Sequence, residues 1–326
     1  MVQNPSPNWS IQQVMMTLSA MAYAPPDGIA GFLADPQYAT ENAWKLVWGP
    51  GTTEANLMYV VKNVSANMYA VAIRGTVLSF SLAGILNLYE DLDAGTQVPW
   101  QYPPGPGELI ANGTQFGLQS LASMTPGNTT LLSFLRTIPA GSVVFVTGHS
   151  LGGCLTTVLA PWLQYQFTQG NQKATVVPIT FAAPTAGNPG FVKFYDSAFA
   201  EGASRYYNAI DLVPMAWSSL PDIKNLYNAP GPPCPDLVRS VVDLVVGWLT
   251  EKDKVTYAQT NGTVVALPGA PAATTDWYME VSTQHDHNTY LSLLGAPPVT
   301  IPSVTPESRL RPVRRDLLHV KGGLAA

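Results

Sequence analysis

Ser150 stands in Thr147-Gly148-His149-Ser150-Leu151-Gly152-Gly153, a Gly-x-Ser-x-Gly arrangement. A serine hydroxyl is a weak nucleophile until a base takes its proton, so the chemistry needs a histidine and, behind it, a carboxylate. The chain has only four histidines. His149 is part of the serine's own turn, and His319 lies in a basic terminal stretch. His285 and His287 remain, in Gln284-His285-Asp286-His287-Asn288-Thr289-Tyr290. Where a strand–serine–helix turn carries a triad, the order along the chain is serine, acid, histidine, and both late histidines obey it. The acid belongs just past a strand that follows the serine's helix, and Asp211 is so placed, after Arg205-Tyr206-Tyr207-Asn208-Ala209-Ile210 and before Leu212-Val213-Pro214. Together these groups predict acyl transfer to water.

The elements that must position these groups are legible as patterns. Val143-Val144-Phe145-Val146 is apolar at every position, as in a strand covered on both faces. The following segment from Leu151 to Phe167 is uncharged and reads as a buried helix. A tight turn between them needs Gly148 and Gly152 and pushes Ser150 out at the strand's end, with the amide of Leu151 at the helix N-terminus where an oxyanion would form. Other strand patterns are Leu57 to Val61, Met68 to Ile73, Val176 to Phe181, Tyr206 to Ile210, Thr263 to Leu267 and Trp277 to Val281. Helical patterns cover Ile11 to Met21, Glu108 to Met124, Thr130 to Arg136, Gly190 to Glu201 and Asp236 to Lys252. The Pro- and Gly-rich stretches Pro99 to Gly107, Pro230 to Pro235 and Pro268 to Pro271 read as loops. Strands alternate with helices through the middle of the chain. This predicts an α/β fold with a mostly parallel central sheet flanked by helices.

Five pieces in order resemble the class 3 lipases, the family of fungal triacylglycerol lipases and their bacterial relatives. They are Ala72-Ile73-Arg74-Gly75-Thr76; Asn87-Leu88-Tyr89-Glu90-Asp91-Leu92, with Leu88 in place of the family's usual aromatic; Gly148 to Gly153; Asn208 to Pro214; and His287-Asn288-Thr289-Tyr290. The resemblance implies the α/β-hydrolase fold with a short lid. It implies Ser150 as nucleophile, Asp211 as orienting acid and His287 as base, His287 being preferred to His285 because tyrosine stands third after it. It implies an oxyanion hole from the amides of Thr76 and Leu151. It also puts the lid at about 77–88, with Val77, Leu78, Phe80, Leu82, Ile85 and Leu86 as its apolar, substrate-facing residues.

Composition bounds the rest. Of 326 residues, 46% are hydrophobic and 11% charged, against about 25% charged in an average soluble protein, so a large core, an apolar functional surface or both are expected. The net charge is −5. Arg309, Arg311, Arg314, Arg315 and Lys321 against Glu307 and Asp316 make the segment from Ile301 onward +3, which leaves the remainder at −8. That balance argues against nucleic acid as a partner. Cys154 and Cys234 are too few for a disulfide framework and are expected as free thiols. Apart from His285 and His287 the histidines lack metal-ligand spacing, no cysteine lies near that pair in sequence, and neither a metal nor a cofactor is expected. Ile11 to Ala24 lacks a basic flank for a signal peptide, and the uncharged run Thr137 to Gln172 is broken by proline and glycine. The expectation is therefore no transmembrane segment and a soluble protein, cytoplasmic or exported by an unrecognised route. One domain over 1–304, with an insertion at about 221–270 and a basic tail at 305–326, completes the reading. The expected partner is an apolar ester or lipid, with a transient lipid contact through the lid. Carboxylesterase action on short-chain or aromatic (feruloyl-type) esters, acyltransferase action and a non-catalytic binding role are the alternatives.

Overall fold

A computed structural model describes residues 8–75, 93–227, 231–252 and 254–302. Thr76, the lid run with Val77, Leu78, Phe80, Leu82, Ile85 and Leu86, the Asn87–Leu92 segment and the basic tail lie outside the described residues.

The main sheet has the order β1-β2-β3-β6-β7-β8-β9, with β1 (Trp44–Thr52), β2 (Leu57–Asn63), β3 (Met68–Ile73), β6 (Ser142–His149), β7 (Ala174–Phe181), β8 (Ser204–Asn208) and β9 (Thr263–Leu267). From β3 to β9 the neighbours are parallel, and β1 and β2 add an antiparallel edge. The expected α/β architecture is what is found.

The sheet divides two cores by side-chain alternation. Val144 and Val146 of β6 face one side and Phe145 the other. On the first side lie α3 (Asn112–Ser123), α4 (Leu131–Leu135), α5 (Leu151–Gln169) and α6 (Pro189–Ala198). On the second, α1 (Ile11–Met21) packs with α9 (His287–Leu293), and the short α2 (Ile29–Ala34) lies against β1. The N-terminus of α1 is fixed by Ser10 N–H donating to Gln13 Oε1 at 2.8 Å, which satisfies a backbone donor at the helix start. α5 is buried along most of its length, as its lack of charge requires.

Several local expectations need correction. Glu108 to Ala111 is not helical: it ends β5 (Pro104–Ala111), which pairs with β4 (Gln97–Gln101) in a separate hairpin, so Pro99 to Gly107 is not loop. Trp277 to Val281 is not a strand but the start of α8 (Trp277–His285). Asp276 caps it by accepting from Tyr278 N–H and Met279 N–H, a local signal that outweighs the aromatic and β-branched content of the segment. The strand placed at 206–210 runs instead from Ser204 to Asn208. The long helix placed at 236–252 is α7 (Asp236–Gly247) followed by a turn of π-helix. The stretch expected as an insertion, 221–270, contains β9, so part of it extends the central sheet.

Candidate active site

The turn from β6 into α5 holds Ser150 at φ 61°, ψ −130°, a left-handed backbone that a non-glycine residue adopts only when its surroundings impose it. The surroundings are close. A Cβ on Gly148 would lie 2.3 Å from the carbonyl carbon of Gly152, and one on Gly152 2.3 Å from the carbonyl oxygen of Ile73 at the end of β3. Only glycine fits at either position. Ser150 N–H donates to Phe181 O across the sheet (3.0 Å), which pins the turn to β7. As the first residue of α5, Leu151 has an amide with no intrahelical acceptor, aimed with the helix dipole.

The histidine brought to Ser150 is His285. Its Nε2 is 2.8 Å from Ser150 Oγ and its Nδ1 is 2.8 Å from Asp211 Oδ2. With the proton on Nδ1, the ring donates to the carboxylate and accepts from the serine hydroxyl. All three are buried, with exposures of 1% for Ser150, 1% for Asp211 and 4% for His285. Asp211 follows β8 in a turn closed by Asp211 N–H donating to Asn208 O (3.0 Å). Its Oδ1 accepts from Val213 N–H at 3.0 Å, and its Oδ2 also accepts from the Tyr290 hydroxyl at 2.8 Å. Burial and the nearby Asp211 charge hold the Tyr290 hydroxyl well above its ordinary pKa, so it stays a neutral donor.

His287, the residue expected to serve as base, points elsewhere. Its ring stacks on Tyr23 with centroids 5.4 Å apart, and its Nε2–H donates to Val299 O at 3.1 Å. The cause is a helix break. α8 ends at His285, Asp286 sits in extended backbone (φ −62°, ψ 137°) and caps α9 by accepting from Asn288 N–H, and α9 begins at His287. Two histidines two residues apart therefore belong to different helices and face different neighbours. Tyr290 does belong to the site, but it contacts the acid. The signal that could have separated the histidines was Asp286 as a helix-starting residue between them.

His149 lies behind His285, with ring centroids 4.8 Å apart, and its Nδ1 is 2.9 Å from the Tyr23 hydroxyl. Burial first, and the like charges that His285 and His287 could carry second, hold His149 well below its ordinary pKa and so neutral. Sequence reasoning gave no role to His149, Tyr23 or Asn208. No group of three or more His, Cys, Asp or Glu side chains is disposed to hold a metal among the described residues. No described helix is long and apolar enough to cross a membrane.

Residues 71–219 match the family described as lipase (class 3). The chain is similar to the crystal structure of M37 lipase, with 26% identity over 88% of this chain and 93% of that one and a TM-score of 0.77. A Caenorhabditis elegans lipase is 39% identical over 71 residues, 22% of this chain and 19% of that protein. The match thus spans about a fifth of that curated relative. A Rhizomucor miehei lipase–propeptide complex matches at 25% identity over 63% of this chain and 62% of that one, with a TM-score of 0.48.

Proposed function

We propose that this chain, whose residues 71–219 match the class 3 lipase family, hydrolyses carboxylic esters of apolar acids, acylglycerols among them, through Ser150, His285 and Asp211. The observation that carries this reading is the pair of 2.8 Å contacts joining Ser150 Oγ to His285 and His285 to Asp211. Ser150 Oγ attacks the ester carbonyl while His285 Nε2 takes its proton. Asp211 stabilises the imidazolium through Nδ1–H and holds the ring in the productive tautomer. The oxyanion is received by the Leu151 amide at the start of α5, with the Thr76 amide and hydroxyl as the second donor. As the C–O bond breaks, His285 returns the proton to the leaving alcohol. Water then attacks the acyl-enzyme with the same base, and Ser150 is regenerated. The apolar run at about 77–88 is the proposed lid.

The test is hydrolysis of p-nitrophenyl esters from acetate to palmitate by wild type, Ser150→Ala, His285→Gln and His287→Gln. Loss of about 10³-fold or more in kcat is expected for Ser150→Ala and His285→Gln, in line with triad deletions elsewhere. His287→Gln is expected to stay within a few-fold of wild type. Rates that peak at long chains support a lipid ester, whereas a peak at acetate or butyrate points to a short-chain esterase. Full activity in His285→Gln with loss in His287→Gln returns the base to the later histidine, and full activity in Ser150→Ala removes the acyl-enzyme mechanism altogether.

A further inference from the structure

The acid and the base of the site sit on separate elements, and a buried polar cluster outside the triad joins them. Asn208 is the last residue of β8, three before Asp211. Its side-chain Nδ2–H groups donate to both the backbone carbonyl (3.0 Å) and the side-chain Oε1 (2.8 Å) of Gln284, the residue just before His285. Its Oδ1 accepts from Ile210 N–H at 3.1 Å, and its backbone N–H donates to the Tyr290 hydroxyl at 2.9 Å, the same hydroxyl that donates to Asp211. Gln284 continues outward: its Nε2–H groups donate to Ala270 O (2.8 Å) and to Glu280 Oε1 (2.9 Å), while both carboxylate oxygens of Glu280 accept from Ala272 N–H (3.1 and 3.0 Å). Asn208, Gln284 and Glu280 are all buried. Space is also reserved for the joint, because a Cβ on Gly269 would meet Asn208 Oδ1 at 2.0 Å.

A buried amide of this kind uses its donors and acceptor fully, and each bond constrains a different segment. One end holds the turn that carries Asp211. The other holds the last turn of α8, where His285 is next in line, and the loop after β9 is tied in through Glu280. His285 has no strand of its own to fix it.

We infer that Asn208 and Gln284 are positioning residues of the triad, a clamp that sets the His285–Asp211 distance by joining the acid turn to the base-bearing helix. The inference rests on the proposed triad and adds two residues that touch neither substrate nor the reacting atoms.

The test compares wild type with Asn208→Ala, Gln284→Met and the double variant, each as the full chain. Rates are measured on p-nitrophenyl butyrate per site titrated with a fluorophosphonate, and Tm is followed in parallel. A displacement of the order of 1 Å in a reacting group costs about 10²-fold, so each single variant is expected to lose about 10- to 100-fold in kcat with KM little changed. The double variant is expected to lose no more than the worse single, because the two share the same bonds. Unchanged kcat per titrated site with a lowered Tm, or fully multiplicative losses, overturns the clamp. Should Asn208→Ala fail to fold, Gln284→Met decides the matter by the same kcat, KM and Tm criteria. Full activity in Ser150→Ala overturns the triad itself, a result distinct from every outcome for the clamp.

Discussion

A neutral imidazole beside the proposed base is a matter of charge economy at the residue scale. In the proposed mechanism His285 takes the serine proton and becomes cationic, 4.8 Å ring to ring from His149. A second cation there would oppose the transfer, and burial holds His149 neutral instead. The same burial has a consequence for stability. The folded pKa of His149 is lowered while the unfolded value remains about 6.5, so below that pH the unfolded chain binds a proton that the folded chain refuses. Stability at this residue is therefore full above about pH 6.5 and declines as pH falls, by about 1.4 kcal/mol per pH unit per proton. Thermal unfolding of wild type and His149→Phe between pH 7 and pH 5 measures it. The wild type is expected to lose stability more steeply on acidification than the variant, and parallel slopes would show that His149 titrates normally.

At the scale of elements, the turn from β6 into α5 shows why glycine is a requirement of shape at two of its positions. A methyl group on Gly152 would meet the backbone carbonyl of Ile73, which cannot move without disturbing β3 inside the sheet. Gly152→Ala is expected to cost about 1–3 kcal/mol, the range for overpacking, and to displace Ser150 enough to abolish fluorophosphonate labelling. Gly247→Ala is the control, since a Cβ at that helix end meets nothing within 4 Å. Equal Tm values for the two variants would mean that the turn yields. These steric demands made the site's centre legible in sequence, because an apolar strand, two glycines and an uncharged helix leave few alternatives. Ile11–Met21 was legible for a similar reason, being a long periodic segment. Elements set by tertiary context were not. β1 holds its place by register with β2 despite Gly49, Pro50 and Gly51 within it, and the β4–β5 hairpin forms from a stretch whose Pro and Gly content reads as loop. Trp277-Tyr278 carries strand-like side chains but follows a capping aspartate. The choice between His285 and His287 depended on a helix break at one residue, Asp286, and a pattern built on Tyr290 could not reveal it.

At the scale of the whole molecule, the serine turn is supported from beneath by the larger of the two cores, and one side chain reports on that core directly. Cys154 lies in the first turn of α5, fully buried, with its Sγ 3.7 Å from Thr114 Oγ1 and 3.9 Å from Thr185 O. Burial pushes its thiol up to about 12, so almost none of the reactive thiolate forms near neutral pH. Reagent can reach the sulfur only when α5 leaves the sheet. Because α5 is packed against β6, β7 and α3 at once, that opening is expected to coincide with loss of the whole core. Cys234 is also a free, buried thiol, so the measurement belongs in a Cys234→Ser background, where one thiol remains. Alkylation of Cys154 is then expected to be blocked in the native state, complete in denaturant, and to rise with urea along the same slope as global unfolding followed by circular dichroism. A labelling rate that is measurable in water and insensitive to low urea would instead mean that α5 opens locally. The turn carrying Ser150 would then rest on a support that detaches while the remainder of the sheet stays folded.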